Sequence, residues 1–80
     1  SNNKAEVIEF KISSENSKVI GIKLKDLDIN DNTLIAFIIR NNKQIFPNGD
    51  DEIKVNDNVV VVSYQQKIEH TVSFLISSEF

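Results

Sequence analysis

The first clear hydrophobic pattern along the chain is an alternation between Glu6 and Ile12. Ile8, Phe10 and Ile12 would share one face of an extended backbone, while the charged residues between them would lie on the opposite face. This pattern predicts a β-strand with one buried face. Residues 1–4, which precede the strand, are polar and have no apolar anchor, so they are predicted to form a flexible N-terminal end.

A different spacing of apolar residues follows the polar stretch after this strand. Leu24, Leu27 and Ile29 recur at intervals that suit one or two turns of a helix. A short helix is therefore predicted between the first strand and the second.

Three further strands are predicted after this helix. The almost unbroken apolar run from Leu34 to Ile39 predicts a central strand, or one covered on both faces. Asn41 and Asn42 then favour a two-residue hairpin, because Asn tolerates positive φ, so that Lys43 to Phe46 would return antiparallel. The valine run from Val59 to Val62 predicts another central strand.

The apolar spacing near the C-terminus becomes helical again. Ile68, Val72, Leu75 and Ile76 form a stripe at helical intervals, which predicts a C-terminal helix. The element order is then β-α-β-β-β-α. This order predicts an α+β fold in which the two helices pack against a small, mostly antiparallel sheet of about four strands.

Composition restricts the class of partner and of chemistry. Nine basic residues against twelve acidic ones give a net charge of -3, which argues against nucleic acid as a partner. The absence of cysteine excludes disulfides and thiolate sites and fits an intracellular protein. No apolar run approaches the roughly 18 to 20 residues of a membrane span, so direct membrane insertion is not expected.

The glycines and the polar clusters offer no catalytic or cofactor motif. The only glycines, Gly21 and Gly49, cannot build a glycine-rich phosphate loop; they are predicted to serve the helix entry and a positive φ in a turn, respectively. His70, the only histidine, is better explained as a surface residue than as a base or metal ligand. The carboxylates at residues 50–52 are better explained as a solvated turn than as a cation site. The chain is therefore not expected to be an enzyme or to hold a cofactor.

Arg40, the only arginine, is the strongest candidate for a charged contact. Its planar guanidinium ends the second predicted strand and could bind a phosphate or a partner carboxylate. A surface salt bridge is the favoured alternative.

Several short motifs follow one another in order between Gly21 and Asp57. They are a glycine, a leucine–aspartate stop, a strand-ending arginine, a Pro-x-Gly turn and an aspartate before four valines: Gly21, Leu27, Asp28, Arg40, Pro47, Gly49 and Asp57. In order and spacing they resemble the TrkA C-terminal domain, also called the RCK C-terminal lobe. The resemblance covers residues 5–77.

This resemblance implies a cytoplasmic regulatory domain of a potassium or other cation transport system, at the inner face of the cell membrane. Such a domain would form a homodimer and act on a membrane-embedded potassium transporter subunit or an attached transporter domain. Some members of the family bind cyclic di-AMP across the dimer interface, so that nucleotide or another is the expected ligand. The alternative is a purely structural dimerisation domain of a membrane carrier or antiporter, with no small-molecule ligand.

The expected ligand site follows from the resemblance and from the apolar residues around the predicted hairpin. Leu34, Ile39, Phe46 and Pro47 would supply an apolar surface for a ring face, and Arg40 would neutralise a ligand phosphate.

Overall fold

The computed structural model describes residues 4–16 and 18–64, which contain one four-stranded antiparallel sheet. Its strands follow one another along the chain as β1 (Ala5–Lys11), β2 (Thr33–Arg40), β3 (Lys43–Ile45) and β4 (Asn58–Tyr64). Their order across the sheet is β1-β4-β2-β3. The four predicted strands are thus confirmed, and so are the inner positions predicted for β2 and β4.

The predicted hairpin between β2 and β3 is also confirmed. Arg40 pairs with Lys43, which leaves a two-residue turn. Asn41 and Asn42 have φ angles of 53° and 63°. Both lie in the left-handed region that such a turn requires and that Asn tolerates better than most side chains.

The strand register places alternate apolar residues of β1, β2 and β4 on one face of the sheet. Phe10 and Ile38 both lie opposite Val59, and Ile8 and Ile35 both lie opposite Val61. The register shifts between Ile35 and Phe37, which keeps Ile35 and Ile38 on the same face although they are three residues apart. The core cluster lies on this face: Phe10, Ile12, Val19, Ile38, Ile53, Val59 and Val61.

The connection between β1 and β2 packs over this core. Val19 is buried, and Ile20, Leu24 and Leu27 pack against the cluster. Isolated bridges join Ile20 to Ile53 and Lys23 to Glu52, so the connection also contacts the segment between β3 and β4. Gly21 has a φ of 79° in this connection, a conformation that favours glycine.

The predicted α+β class is wrong. Within the described ranges, the chain forms an antiparallel sheet with a single 3-10 turn, η1 (Leu24–Asp26), where a short α-helix was predicted. Nor does the described part of the chain contain a helix long and apolar enough to cross a membrane. The predicted C-terminal helix, based on Ile68, Val72, Leu75 and Ile76, lies outside the described residues.

Hydrogen bonds to a distant segment attach the start of this turn to residues 49–51. The backbone N–H groups of Leu24 and Lys25 donate to the carbonyls of Asp51 and Gly49, at 2.9 Å each. Leu27, at the C-terminal end of the turn, is already extended. An interval of three residues between apolar positions suits a 3-10 turn as well as an α-helix, and here the N–H groups of Asp26 and Leu27 donate to carbonyls three residues back, which is the 3-10 pattern.

Candidate functional site

An open cleft forms beside the part of β2 that β3 does not reach. Strand β3 pairs only with Ile38, Ile39 and Arg40, so in the described structure the first half of β2 has no strand on that side. The chain then leaves the sheet at residues 46–49. The resulting cleft has a volume of about 460 Å³ and lies between residues 33–35 of β2 and residues 47–49, with Leu24, Lys25 and Ile29 in its lining.

The wall of the cleft opposite β2 is a hydrogen-bonded turn. The side chain of Asn48 accepts the Asp50 N–H at 2.8 Å, and the Asp51 carboxylate accepts the Asn48 N–H at 2.7 Å. These bonds fix residues 48–51 locally. The bonds from Leu24 and Lys25 then attach the turn to η1.

Gly49 is required by close packing rather than by its φ angle. A Cβ atom at this position would lie 3.1 Å from Cβ of Lys25. Among the described glycines, only Gly21 has a positive φ, so the positive φ predicted for Gly49 is wrong. The absence of a side chain at Gly49 lets η1 approach the turn closely enough for the hydrogen bond to its carbonyl.

The prediction of a solvated turn at residues 50–52 fits Asp50, whereas Asp51 is half-buried and bonded within the turn and Glu52 lies in a bridge after it. The Asp50 carboxylate is exposed and lies 3.0 Å from Nζ of Lys25 and 4.0 Å from Nζ of Lys23. Exposed pairs of this kind contribute little to stability, because water and salt screen them. Lys25 therefore has an exposed and only weakly paired cationic group at the cleft.

The cleft combines an apolar wall with polar groups at its edges. Leu34, Ile35 and Pro47 supply the apolar surface, and the Leu34 side chain is 64 % exposed although it lies in an inner strand. Lys25 and Asn48 add an ammonium and a carboxamide group. A planar ring could lie against the apolar wall while its edge and an attached anion reach the polar groups.

Arg40 lies at the other end of β2, in an internal ion pair. Its Nε donates to Oδ1 of Asp57 and its Nη2 to Oδ2, both at 2.8 Å, and Nη2 also donates to the Glu52 carbonyl at 3.0 Å. The Asp57 side chain is 1 % exposed and that of Arg40 is 26 % exposed. The pair is bidentate and largely buried, unlike the surface salt bridge that the sequence favoured.

The electrostatics of this pair favour both charged forms. Burial of the Asp57 carboxyl raises its pKa, but hydrogen bonds from Arg40 and from the Lys54 N–H, together with the charge of Arg40, outweigh burial, and the pKa lies below its ordinary value. The hydrogen bond to Asp57 raises the pKa of Arg40 despite partial burial. The pair therefore stays ionised at neutral pH.

The structure separates the five residues predicted for a ligand site. Leu34 and Pro47 lie together in the cleft. Ile39 and Phe46 each follow a residue that packs on the core, so they point to the opposite face of the sheet, which we call the outer face. Arg40 lies on the core side of the sheet with Asp57.

Aromatic and aliphatic residues are exposed on the outer face. The rings of Phe46 and Phe37 lie 6.0 Å apart between centroids, and Phe46 is 71 % exposed. Val62 pairs with both Val7 and Leu34, which places an apolar row across three strands. Val7 is 66 % exposed, close to the value for Leu34. Leu34 thus belongs both to this face and to the cleft.

Sequence reasoning missed three residues at these sites. Lys25 received no role and Asn48 only that of a turn residue, because their approach to β2 depends on contacts between distant segments. Asp57 was not identified as the partner of Arg40, although the pairing of Ile39 with Asn58 places Arg40 beside it. The register between β2 and β4 is the signal that could have revealed the ion pair.

Comparisons with known proteins identify close resemblances over most of the chain. The model of the TrkA-C domain matches residues 7–75. The chain is 41 % identical over 59 residues to Trk system potassium uptake protein TrkA homolog 2 of Methanosarcina mazei, which covers 74 % of this chain and 13 % of that protein. It is 36 % identical over 69 residues to the TrkA homolog of Archaeoglobus fulgidus, covering 86 % of this chain and 16 % of that protein. The chain thus spans less than a fifth of the length of these relatives.

A solved structure is also similar. It is described as "Structure of RCK domain with cda" and superposes with a TM-score of 0.58 at 27 % sequence identity. The superposition covers 69 % of this chain and 76 % of the other.

Proposed function

Because the chain belongs to the TrkA-C domain family, we propose that it is a regulatory domain of a potassium uptake system and binds cyclic di-AMP in the cleft. The relatives described as Trk potassium uptake proteins support the first part. The proposed partner is a membrane-embedded potassium transporter subunit or an attached transporter domain, at the cytoplasmic face of the membrane. We propose no catalytic role for the domain.

The observation that carries the ligand proposal is the exposed apolar wall of the cleft beside a cation and a carboxamide. A purine ring would lie against Leu34 and Pro47, which both line the cleft. Oδ1 of the Asn48 carboxamide already accepts the Asp50 N–H, so its Nδ2 group is the part that would donate to an acceptor on the edge of the base. The RCK domain described with cda supports a nucleotide as the ligand class.

The phosphate contact is assigned to Lys25 rather than to Arg40. Nε and Nη2 of Arg40 are already occupied by Asp57 and by the Glu52 carbonyl. Removing Arg40 from Asp57 would leave a buried carboxylate without its cation, at a cost of several kcal/mol. Lys25 is exposed and only weakly held by Asp50, so its ammonium can turn to an anion at little cost.

The domain would regulate transport by binding the nucleotide more tightly in one conformation of the assembly than in another. A ligand shifts such an equilibrium only by its differential affinity for the two states, typically about 1 to 3 kcal/mol. Ile39 and Phe46 on the outer face would contribute where a second copy of the chain lies against that face. The proposed homodimer would then form beside the cleft, because Leu34 belongs to both surfaces.

Calorimetry with cyclic di-AMP tests the ligand proposal on the 80-residue chain. Leu34→Ala should weaken binding about tenfold, because burial of a leucine side chain contributes about 1.5 to 3 kcal/mol. Val7→Ala is the matched control: Val7 is equally exposed in the same cross-strand row but lies outside the cleft lining. It should leave the affinity within about twofold. Absence of binding at millimolar nucleotide, or equal losses in both variants, would contradict the proposal.

The rival function is a purely structural dimerisation domain, which the apolar row on the outer face favours. Sedimentation equilibrium separates the two. A dimer whose stability is unchanged by cyclic di-AMP and other nucleotides supports the structural role, whereas a nucleotide-dependent change in association supports the regulatory one.

A further inference from the structure

The Arg40 guanidinium connects the ion pair with the segment that forms the cleft. Two of its hydrogen bonds go to Asp57, but the third goes from Nη2 to the Glu52 carbonyl at 3.0 Å. Glu52 immediately follows the turn at residues 48–51 and bridges to Lys23, next to η1. Arg40 therefore holds the backbone of the cleft wall at its C-terminal end.

The contacts continue from Glu52 to the residues that line the cleft. The carbonyls of Asp51 and Gly49 accept the N–H groups of Leu24 and Lys25. A shift of residues 49–52 would therefore move η1, which contributes Leu24 and Lys25 to the cleft lining. A continuous set of hydrogen bonds thus joins the buried ion pair to the cleft lining.

We propose that Arg40 and Asp57 are positioning residues of the cleft: they fix residues 49–52, and through them η1, without touching the ligand. The expected effect on ligand affinity rests on the proposed function. The expected effect on the geometry of the cleft does not.

The contacts of Arg40 indicate a role beyond general stabilisation of the fold. The turn at residues 54–57 is closed without Arg40, because Asp57 already accepts the Lys54 N–H at 2.8 Å and its own N–H donates to the Lys54 carbonyl at 3.1 Å. The bond from Arg40 to Glu52 reaches beyond that turn. An arginine can bind both carboxylate oxygens and a carbonyl with one planar group, whereas a lysine offers a single ammonium.

Amide hydrogen exchange measured by NMR on the unliganded chain tests the geometric claim. The test variants are Arg40→Lys and Asp57→Asn. In both, the Leu24 and Lys25 amides should exchange at least about tenfold faster than the change in the free energy of global unfolding would produce. Phe10→Leu is the control, because Phe10 is buried in the core on the edge strand β1, which supplies no residue to the cleft lining. In this control all protected amides should follow global stability. If the Leu24 and Lys25 amides follow global stability in both test variants as well, the positioning role is wrong.

A double-mutant cycle with cyclic di-AMP distinguishes positioning from direct phosphate binding by Arg40. If the pair acts through the cleft wall, Asp57→Asn and Arg40→Gln should each weaken binding about tenfold, and the double variant should lose little more. If Arg40 instead binds phosphate, Asp57→Asn should free the guanidinium and preserve or strengthen binding, which would overturn the proposal. Should the parent chain not bind cyclic di-AMP, the proposed ligand fails, and the exchange experiment still decides the positioning role.

Discussion

The two ends of β2 are built differently. At its C-terminal end the strand is paired on both sides, turns through a two-residue hairpin, and carries Arg40 in a buried pair with Asp57. At its N-terminal end it pairs with β4 alone among the described residues and exposes Leu34 beside an open cleft. The C-terminal end of β2 is thus held by a buried ion pair, whereas its N-terminal end leaves apolar surface exposed.

The largest expected effect lies at the closed end. Asp57→Ala removes the partner of Arg40 and leaves a partly buried cation, which should lower the free energy of unfolding by about 3 kcal/mol or more. Urea denaturation followed by circular dichroism measures the change. A loss below about 1 kcal/mol would show that the pair behaves like an exposed salt bridge and would remove the contrast between the two ends.

Acid pH should remove the stability that Asp57 contributes at the C-terminal end of β2. The pKa of Asp57 is lower in the folded chain than its ordinary value of 3.8, so its ionised form contributes stability that is complete above that value. As the pH falls through the lowered pKa of the folded state, this contribution disappears. Unfolding curves between neutral pH and pH 2 should therefore show a fall in stability that is smaller in Asp57→Asn. An identical fall in parent and variant would mean that Asp57 is not the group responsible.

The smallest effect on stability is expected at the open end. Leu34→Ala removes a side chain that is mostly exposed, so the free energy of unfolding should change by about 0.5 kcal/mol or less. Ile38→Ala in the same strand is the matched contrast, because Ile38 is fully buried and its truncation should cost about 2 to 5 kcal/mol. Comparable losses in the two variants would show that Leu34 is covered in solution.

The strands were predictable because local patterns specify them. Alternation identified β1, and Asn41 with Asn42 identified the hairpin, since each signal lies within a few neighbouring residues. The helix prediction at Leu24 and Leu27 was wrong because the spacing fits two kinds of helix, and the chain becomes extended at Leu27 after a single 3-10 turn.

The site was only partly predictable. Leu34 and Pro47 were identified as ligand candidates, and the structure places both in the cleft. The partner of Arg40 is seventeen residues away and depends on the register of β2 against β4. The end of β3 was predicted to within one residue, but the cleft also depends on the approach of η1 to residues 49–51, which only contacts between distant segments determine.

The most direct test of the central claim is to map where cyclic di-AMP binds, using amide chemical shifts of the isotope-labelled chain during a titration. The account predicts saturable shifts concentrated at Leu34, Lys25 and Asn48, with little change at Val7 on the far side of the same cross-strand row. Shifts centred on Val7, or no saturable shifts at millimolar nucleotide, would contradict it.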